Sequence, residues 1–400
     1  MKILLTTDAF APIVNGVVTS VMTLYTQLKL RGHDVRILAL AHEGCSRQEG
    51  DVYMIRSFSV NIYPDARATV NYKSRMVSEI IKWGPDIIHS QTEFCSFLFA
   101  RKIAKKLDIP IIHTYHTLYQ DYTSYFTKHE NLGKKAVIIF SRRILKTVDT
   151  VVVPTNKTKG ILEAYHIEPP IEVIPNGIDF TRFMKTLTQE EEHALKETLN
   201  IPLGHKVIVT VGRVGKEKNL DEVMINMKAL IEQRKNISLV IVGNGPYRLE
   251  LEKMAEQLGI QDSVVFAGMI DQMEIYKYYK LGDIFVSGST SETQGLTYIE
   301  ALINEVPIVC RKDDCLKALL KEGYNGYTYE TSEEFIHIIN DLLDHPHKYN
   351  EIKAHTAESV QAYSSEIFGK KIEALYEKVI ANKEQGYVEQ HDDNHTAIVS

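Results

Sequence analysis

The feature that most constrains this chain is an alternation that runs through both halves. Short apolar runs rich in β-branched residues are each followed by a segment of amphipathic helical pattern. In the first half the runs are ILLTT at 3–7, DVRILAL at 34–40, DIIHS at 86–90, PIIHTY at 110–115 and TVVVP at 150–154. The second half repeats the scheme with KVIVTVG at 206–212, ISLVIVG at 237–243, SVVFAG at 263–268, DIFVSGS at 283–289 and PIVC at 307–310. Strands joined by helices build parallel sheets through βαβ units. The pattern predicts an α/β chain of two Rossmann-like, doubly wound domains, at 1–180 and 205–363. Residues 181–204 are charged and carry no strand signal, so they read as a linker. From 384 the sequence is polar and ends in QHDDNHTAIVS, which predicts a disordered tail over 384–400.

At 44% hydrophobic and 24% charged residues, 400 residues suffice for two domains that each bury a core. The longest uncharged apolar runs are strand-length, and no basic region followed by an apolar core opens the chain. We therefore expect no secretory leader, no membrane span and a cytoplasmic location. Cys45, Cys95, Cys310 and Cys315 form no disulfide framework and no zinc-ligand spacing, so they read as thiols and no metal site is expected. The net charge of -6 hides a division. Residues 1–150 hold 20 Lys and Arg against 13 Asp and Glu, and the remainder holds 26 against 39. A basic half suits nucleic acid or an anionic membrane, and no nucleic-acid-binding motif accompanies the charge.

Ligands of open parallel sheets sit beyond the carboxyl ends of the strands. Polar and glycine residues of this chain gather there. In ETQGLTYIE, Gly295 can bend the chain into a helix whose free N–H groups bind an anion, with Glu292 and Glu300 bracketing it. That arrangement suits a sugar nucleotide; the alternative is a helix whose acidic start complements its dipole. In VGRVGKEKN, Arg213 and Lys218 can neutralise a departing diphosphate, or be solvated loop charges, and Asn219 reads as a helix N-cap. In GNGPYRLELEKMAEQLG, Pro246 marks a first helical turn, and Asn244 and Gly245 can shape a base pocket. Gly16 opens a helix after the first strand and permits close approach of a phosphate or sugar, although no third glycine completes a dinucleotide fingerprint.

His116 stands among Tyr115, Tyr119, Tyr122 and Tyr125, where it can donate to a sugar hydroxyl or serve as a satisfied loop histidine. The helical stretch GKKAVIIFSRRILKTVD carries Lys134, Lys135, Arg142, Arg143 and Lys146 beside Val137, Ile138, Ile139, Ile144 and Leu145. It suits an anionic membrane surface, at about 1 kcal/mol per basic residue, or a core helix with a wet basic side.

As an ordered set, KILLTTDAFAPIVNGVVTSV, DIIHSQTEF, HTYHT, VIPNGID, VGRVGKEKN, VGNGP and ETQGLTYIE resemble the GT-B-fold retaining glycosyltransferases of family four over nearly the whole chain. HTYHTLYQDYTSYF and SETQGLTYIEAL are similar to the bacterial enzymes that transfer glucose from UDP-glucose to the 3-hydroxyl of 1,2-diacylglycerol. The resemblance implies two domains facing each other across a cleft, with a C-terminal helix at 364–383 packing back on the first. It assigns the diphosphate to Gly16, Gly295 and the amides of Leu296 and Thr297, and its charge to Arg213 and Lys218. It further assigns the ribose to Glu300, the donor sugar to Glu292, and the catalytic histidine to His116. Tyr119, Tyr122, Lys134, Lys135, Arg142 and Arg143 fall on the acceptor and membrane side. Asn15 stands where many members have glycine, and Thr293 and Gln294 where Gly and Phe often occur.

The implied reaction is α-glucosyl transfer with retention by same-face attack, needing no divalent metal in the site, although a divalent cation can stimulate it. The implied partners are a nucleotide sugar, a lipid acceptor and an anionic membrane surface, and the implied location is the inner face of the cell membrane. A soluble acceptor, a non-catalytic partner subunit and a sugar-nucleotide epimerase are the competing readings. Retention of both carboxylates and both cations disfavours the partner subunit, and the Glu292–Glu300 arrangement disfavours the epimerase.

Overall fold

The computed structural model describes every residue except 14, 61–65, 121–122, 124–128 and 397–400, and only the backbone of 130 and 386–396. The chain divides into two compact units, 1–177 with 365–400, and 178–364.

In the first unit the strands are β1 (Lys2–Thr7), β2 (Asp34–Ala41), β3 (Arg47–Glu49), β4 (Val52–Arg56), the separate β5 (Phe58–Ser59) and β6 (Arg67–Ala68) pair, β7 (Ile87–Ser90), β8 (Ile111–Thr114), β9 (Thr150–Val153) and β10 (Ile171–Val173). The main sheet runs β10-β9-β8-β7-β1-β2-β4-β3, parallel except for the antiparallel β3 edge. Its helices are α1 (Gly16–Leu30), α2 (Arg75–Trp83), α3 (Cys95–Leu107), α4 (Glu130–Leu145) and α5 (Asn156–Ala164). Side-chain caps start three of them: Asn15 accepts from the Val18 amide, Ser74 from Met76 and Thr155 from Thr158. Asn15 therefore caps α1 where a glycine could not.

In the second unit α6 (Gln189–Thr198) precedes β11 (Lys206–Val211), α7 (Leu220–Gln233), β12 (Ile237–Val242), α8 (Arg248–Leu258), β13 (Val264–Gly268), α9 (Ile275–Leu281), β14 (Ile284–Ser287), α10 (Leu296–Ile303), β15 (Ile308–Arg311), β16 (Gly326–Tyr329), α11 (Ser332–Asp344) and α12 (Pro346–Ser359). The sheet order is β13-β12-β11-β14-β15-β16, all parallel. All six residues of β12 are buried, as a strand covered by helices on both faces requires. The last helix, α13 (Ser365–Thr396), returns to the first unit. There Phe368, Ile372, Leu375, Tyr376 and Val379, spaced along one helical face, join the core under β1 and α1.

Two expectations need correction. Residues 181–204 belong to the second unit and are not a free connection, because Phe183 and Ile201 are buried in its core and Lys196 is buried against the carbonyls of Leu203 and His205. The backbone from 384 to 396, expected to be disordered, continues α13. A polar composition denies such a segment a core but does not deny it helix, since Glu, Gln, Lys and Ala are good helix formers. The strands at 171–173 and 326–329 escape the sequence pattern because each offers only two apolar residues, and the one at 52–56 because its four stand between charged and polar neighbours.

Candidate active site

Strand order places the site. In the second unit β11 lies between β12 and β14, so the chain leaves the sheet in opposite directions on its two sides. The loops after β11 and β14 flank that switch point. One carries Arg213 and Lys218, the other Glu292, and a crevice between loops at this position is where such sheets bind nucleotides.

The loops interlock through glycine. A Cβ on Gly243 would lie 1.9 Å from the Gly212 carbonyl oxygen, and one on Gly245 would lie 2.3 Å from that of Val214. Close loop packing therefore accounts for Gly245 directly. Pro246 precedes α8 by two residues and does not occupy its first turn.

The Lys218 ammonium donates to Glu292 Oε1 at 2.6 Å, joining the two loops. Although burial opposes the charge, the Glu292 carboxylate holds the Lys218 pKa above its ordinary value, so the ammonium persists at neutral pH. Arg213 donates to Glu217 Oε1 at 2.7 Å, and the Glu217 side chain is only 5% exposed. Asn219 caps α7 as expected, but by backbone position only. It adopts the left-handed conformation at φ 53°, and its amide nitrogen donates to Glu222 and to the Gly288 carbonyl instead of accepting from the helix.

Gly295 is the N-cap of α10 at φ 74°, ψ 67°, a left-handed conformation that favours glycine. A Cβ there would also lie 2.3 Å from the Tyr298 ring. The amides of Leu296 and Thr297, first in the helix, have no intrahelical acceptor. One turn further, Glu300 Oε2 accepts from the fully buried Tyr279 hydroxyl at 2.6 Å. Burial raises the Glu300 pKa above the usual carboxyl value, while the Tyr279 bond and Arg182 oppose that rise.

The first unit has its own constellation. The loops after β1, β7 and β8 meet at its switch point, where β1 lies between β2 and β7. Gly16 is the first residue of α1. Asp8 accepts from the Thr92 hydroxyl at 2.6 Å and from the Ser96 amide at 2.8 Å, tying the β1 loop to the start of α3. Burial raises the Asp8 pKa. His116 Nε2 lies 2.8 Å from Gln91 Oε1. Burial, with His113 nearby, lowers the His116 pKa to about 3, so the ring is neutral at physiological pH. The Tyr119 hydroxyl donates to Glu93 Oε2 at 2.5 Å, and Glu93 Oε1 lies 3.2 Å from His113 Nε2. Tyr122 lies outside the described residues.

On α4 the apolar residues divide. Val137 and Leu145 are buried and Ile138 packs on the core, whereas Leu132 and Ile139 are 65% and 66% exposed. Leu132 and Ile139, seven apart, share one helical face with Lys135, Arg142 and Arg143 close by. Arg142 also donates from Nε to the Tyr165 carbonyl, which ties it to this unit. Phe140 stacks on the exposed Phe94. Among the described residues no helix is long and apolar enough to cross a membrane, and no cluster of three His, Cys, Asp or Glu is placed to hold a metal ion.

A family model described as Glycosyltransferase Family 4 matches residues 14–182, and one described as Glycosyl transferases group 1 matches 191–359. An alpha-monoglucosyldiacylglycerol synthase of Streptococcus pneumoniae is 36% identical over 390 residues, which cover 96% of this chain and 88% of that protein. The chain belongs to glycosyltransferase family 4. A second alpha-monoglucosyldiacylglycerol synthase, from Acholeplasma laidlawii, is 30% identical over 94% of this family-4 glycosyltransferase and 96% of its own length. Among solved structures, HepE of Anabaena in complex with UDP-glucose aligns with TM-score 0.75 at 16% identity, over 94% of this chain and 100% of that one. Sucrose-phosphate synthase of Thermosynechococcus elongatus aligns with TM-score 0.74 at 19% identity, over 95% and 99%. At such identities the likeness shows the GT-B fold. The family-4 enzyme also contains polar residues that sequence reasoning passed over: Asp8, Gln91, Glu93, Glu217 and Tyr279. The first three share one detectable signal, since each lies within a few residues of the carboxyl end of a strand.

Proposed function

We propose that this enzyme is a hexosyltransferase that moves glucose from UDP-glucose to the 3-hydroxyl of 1,2-diacylglycerol, giving an α-monoglucosyl diacylglycerol with retention of configuration. The observation that carries the reading is the 36% identity, along 96% of the chain, to a protein named alpha-monoglucosyldiacylglycerol synthase. The donor assignment is supported by the second unit's own chemistry. The first amides of α10 receive the diphosphate, and Glu300 accepts from the ribose hydroxyls. Glu292 accepts from hydroxyls of the glucose. Arg213 and Lys218 oppose the negative charge that grows as the diphosphate departs, which is the step where preorganised cations lower the barrier most. In same-face attack the leaving phosphate takes the acceptor proton. With two cations and a helix terminus meeting that charge, a divalent ion is stimulatory at most, and EDTA should leave turnover in place. His116, neutral at working pH, serves as a hydrogen-bonding partner for the substrates.

The acceptor side is read from the first unit. Leu132 and Ile139 on α4, with Phe94 and Leu98 on the neighbouring element, expose apolar surface beside Lys134, Lys135 and Arg143. Such a surface suits peripheral docking on an anionic bilayer, where a diacylglycerol acceptor resides. The test is incubation of the protein with UDP-glucose, UDP-galactose and GDP-mannose against diacylglycerol in anionic liposomes and against soluble acceptors. An α-linked glucolipid formed from UDP-glucose alone supports the reading. Transfer only to a soluble acceptor overturns it.

A further inference from the structure

We propose that Gln91 and Glu93, alternate residues of the loop after β7, are positioning residues for the acceptor-side groups, Gln91 fixing the tautomer and orientation of His116 and Glu93 fixing the Tyr119 hydroxyl. The inference rests on the reading above, in which His116 meets substrate.

The loop itself is held firmly. The Gln91 amide donates to the Thr6 carbonyl at 2.8 Å, and Thr92 is bonded to Asp8, which also caps α3. Gln91 and Glu93 are 2% and 3% exposed. A carbonyl oxygen only accepts, so the 2.8 Å contact from Gln91 Oε1 requires the His116 proton on Nε2. Nδ1 is then the accepting nitrogen. Because the ring is neutral in the working range, what a neighbour can set is its tautomer and angle, not its charge. Gln91 Nε2 is buried and has no hydrogen-bond partner among the described residues. That is an energetic cost, retained at a position whose other end orients His116. Glu93 acts in parallel. Its two oxygens meet different residues of the β8 strand and loop, Tyr119 at 2.5 Å and His113 at 3.2 Å, so one buried carboxylate sets the tyrosine against the sheet. The charged and titratable groups facing His116 are His113, which pairs with Glu93, and His89, held by Tyr376 and Thr114.

The decisive measurement is a histidine 15N–1H correlation spectrum of the full chain, with His116 identified by its absence from His116→Ala. Wild type should show His116 as the Nε2–H tautomer. Gln91→Leu should lose that preference, and Gln91→Glu, which can only accept, should keep it while moving the His116 titration to higher pH by one unit or more. Kinetics supply the second readout, as UDP release in diacylglycerol vesicles. Gln91→Leu and Glu93→Leu should lower kcat about tenfold or more with the UDP-glucose KM within twofold, and Glu93→Gln should recover most of the loss. Circular dichroism and a thermal melt with both units' transitions at the wild-type positions show that each variant is folded. Should Gln91→Leu not fold, Gln91→Glu alone carries the spectral test. An unchanged His116 tautomer in Gln91→Leu, or wild-type kcat in both leucine variants beside an inactive His116→Ala, overturns the positioning role. A fully active His116→Ala overturns the underlying reading instead.

Discussion

Replacing Glu300 tests the donor site at the point where structure gives the size of the effect. The carboxylate has two duties: it accepts from the buried Tyr279 hydroxyl at 2.6 Å, and in the proposed complex it accepts from the ribose hydroxyls. Hydrogen bonds to a charged acceptor contribute about 1.5–3 kcal/mol each. Glu300→Ala removes both ribose bonds, a loss of about 3 kcal/mol at the lower bound, or roughly 100-fold in UDP dissociation constant. It also strands the Tyr279 hydroxyl, at about 1–3 kcal/mol of stability. Glu300→Gln separates the duties. Its amide oxygen still accepts from Tyr279, so stability should hold, while the loss of charge weakens each ribose bond by about 1 kcal/mol and UDP binding by roughly tenfold or more.

The pH dependence has a definite sign. Burial raises the Glu300 pKa, so as pH falls the accepting carboxylate is lost earlier than an ordinary carboxyl would be. UDP affinity of the wild type should therefore decline on acidification, and the ratio of wild-type to Glu300→Gln affinity should shrink with it. Titration of the UDP phosphate is common to both proteins and cancels in that ratio. Calorimetric titration with UDP from pH 7.5 downward, with thermal melts alongside, makes the measurement. Unchanged UDP affinity in folded Glu300→Ala refutes the assignment.

Arg213→Ala and Lys218→Ala should each lower kcat by about 10² or more if, as proposed, both oppose charge that grows in the transition state; near-wild-type turnover in both would reduce them to loop charges. Gly295→Ala forces a left-handed conformation and sets a methyl 2.3 Å from the Tyr298 ring, so urea melts should show a loss of about 2 kcal/mol or more, together with weakened UDP binding. Replacing Lys134, Lys135 and Arg143 by Ser, leaving Arg142 on the Tyr165 carbonyl, should release the protein from anionic vesicles while UDP binding persists. Equal sedimentation with neutral and anionic vesicles would make α4 an ordinary helix with a wet side.

The fold was legible where the chain concentrates its apolar residues. Ten parallel strands could be marked to within one or two residues, because most are buried by helices on both faces and so read as dense apolar runs. Strands such as Gly326–Tyr329 were not legible, since pairing with an already formed β15 supplies what their own composition lacks. The candidate site was half legible for a related reason. Arg213, Lys218 and Glu292 stand out as charges near glycines after strand ends, and Glu300 as a second carboxylate in the helix that Gly295 opens. Tyr279 and Glu217 do not, because one lies inside α9 and the other among ordinary loop charges. Only tertiary structure brings Tyr279 onto Glu300 and turns Glu217 inward onto Arg213.

Those inward pairs bear on how the donor binds. Lys218 holds Glu292, and Arg213 holds Glu217. Neither cation therefore waits in water with a mobile side chain, and the entropy of ordering them is spent during folding and not at binding. The pairs also differ in exposure: Glu217 is 5% exposed and stays behind its guanidinium, whereas Glu292 is 19% exposed, on the opposite loop. In the proposed complex, a diphosphate arriving at α10 would compete with Glu292 for Lys218. Once the ammonium turns toward phosphate, Glu292 regains an accepting oxygen, which is what a carboxylate assigned to the glucose hydroxyls needs. On the proposed reading, binding of the nucleotide end would thus prepare the sugar end. It follows that UDP alone should bind Glu292→Gln at least as tightly as wild type, since the competitor for Lys218 is weakened, while kcat with UDP-glucose falls. A Glu292→Gln variant that binds UDP several-fold more weakly would show that the carboxylate supports the diphosphate site and does not contend with it.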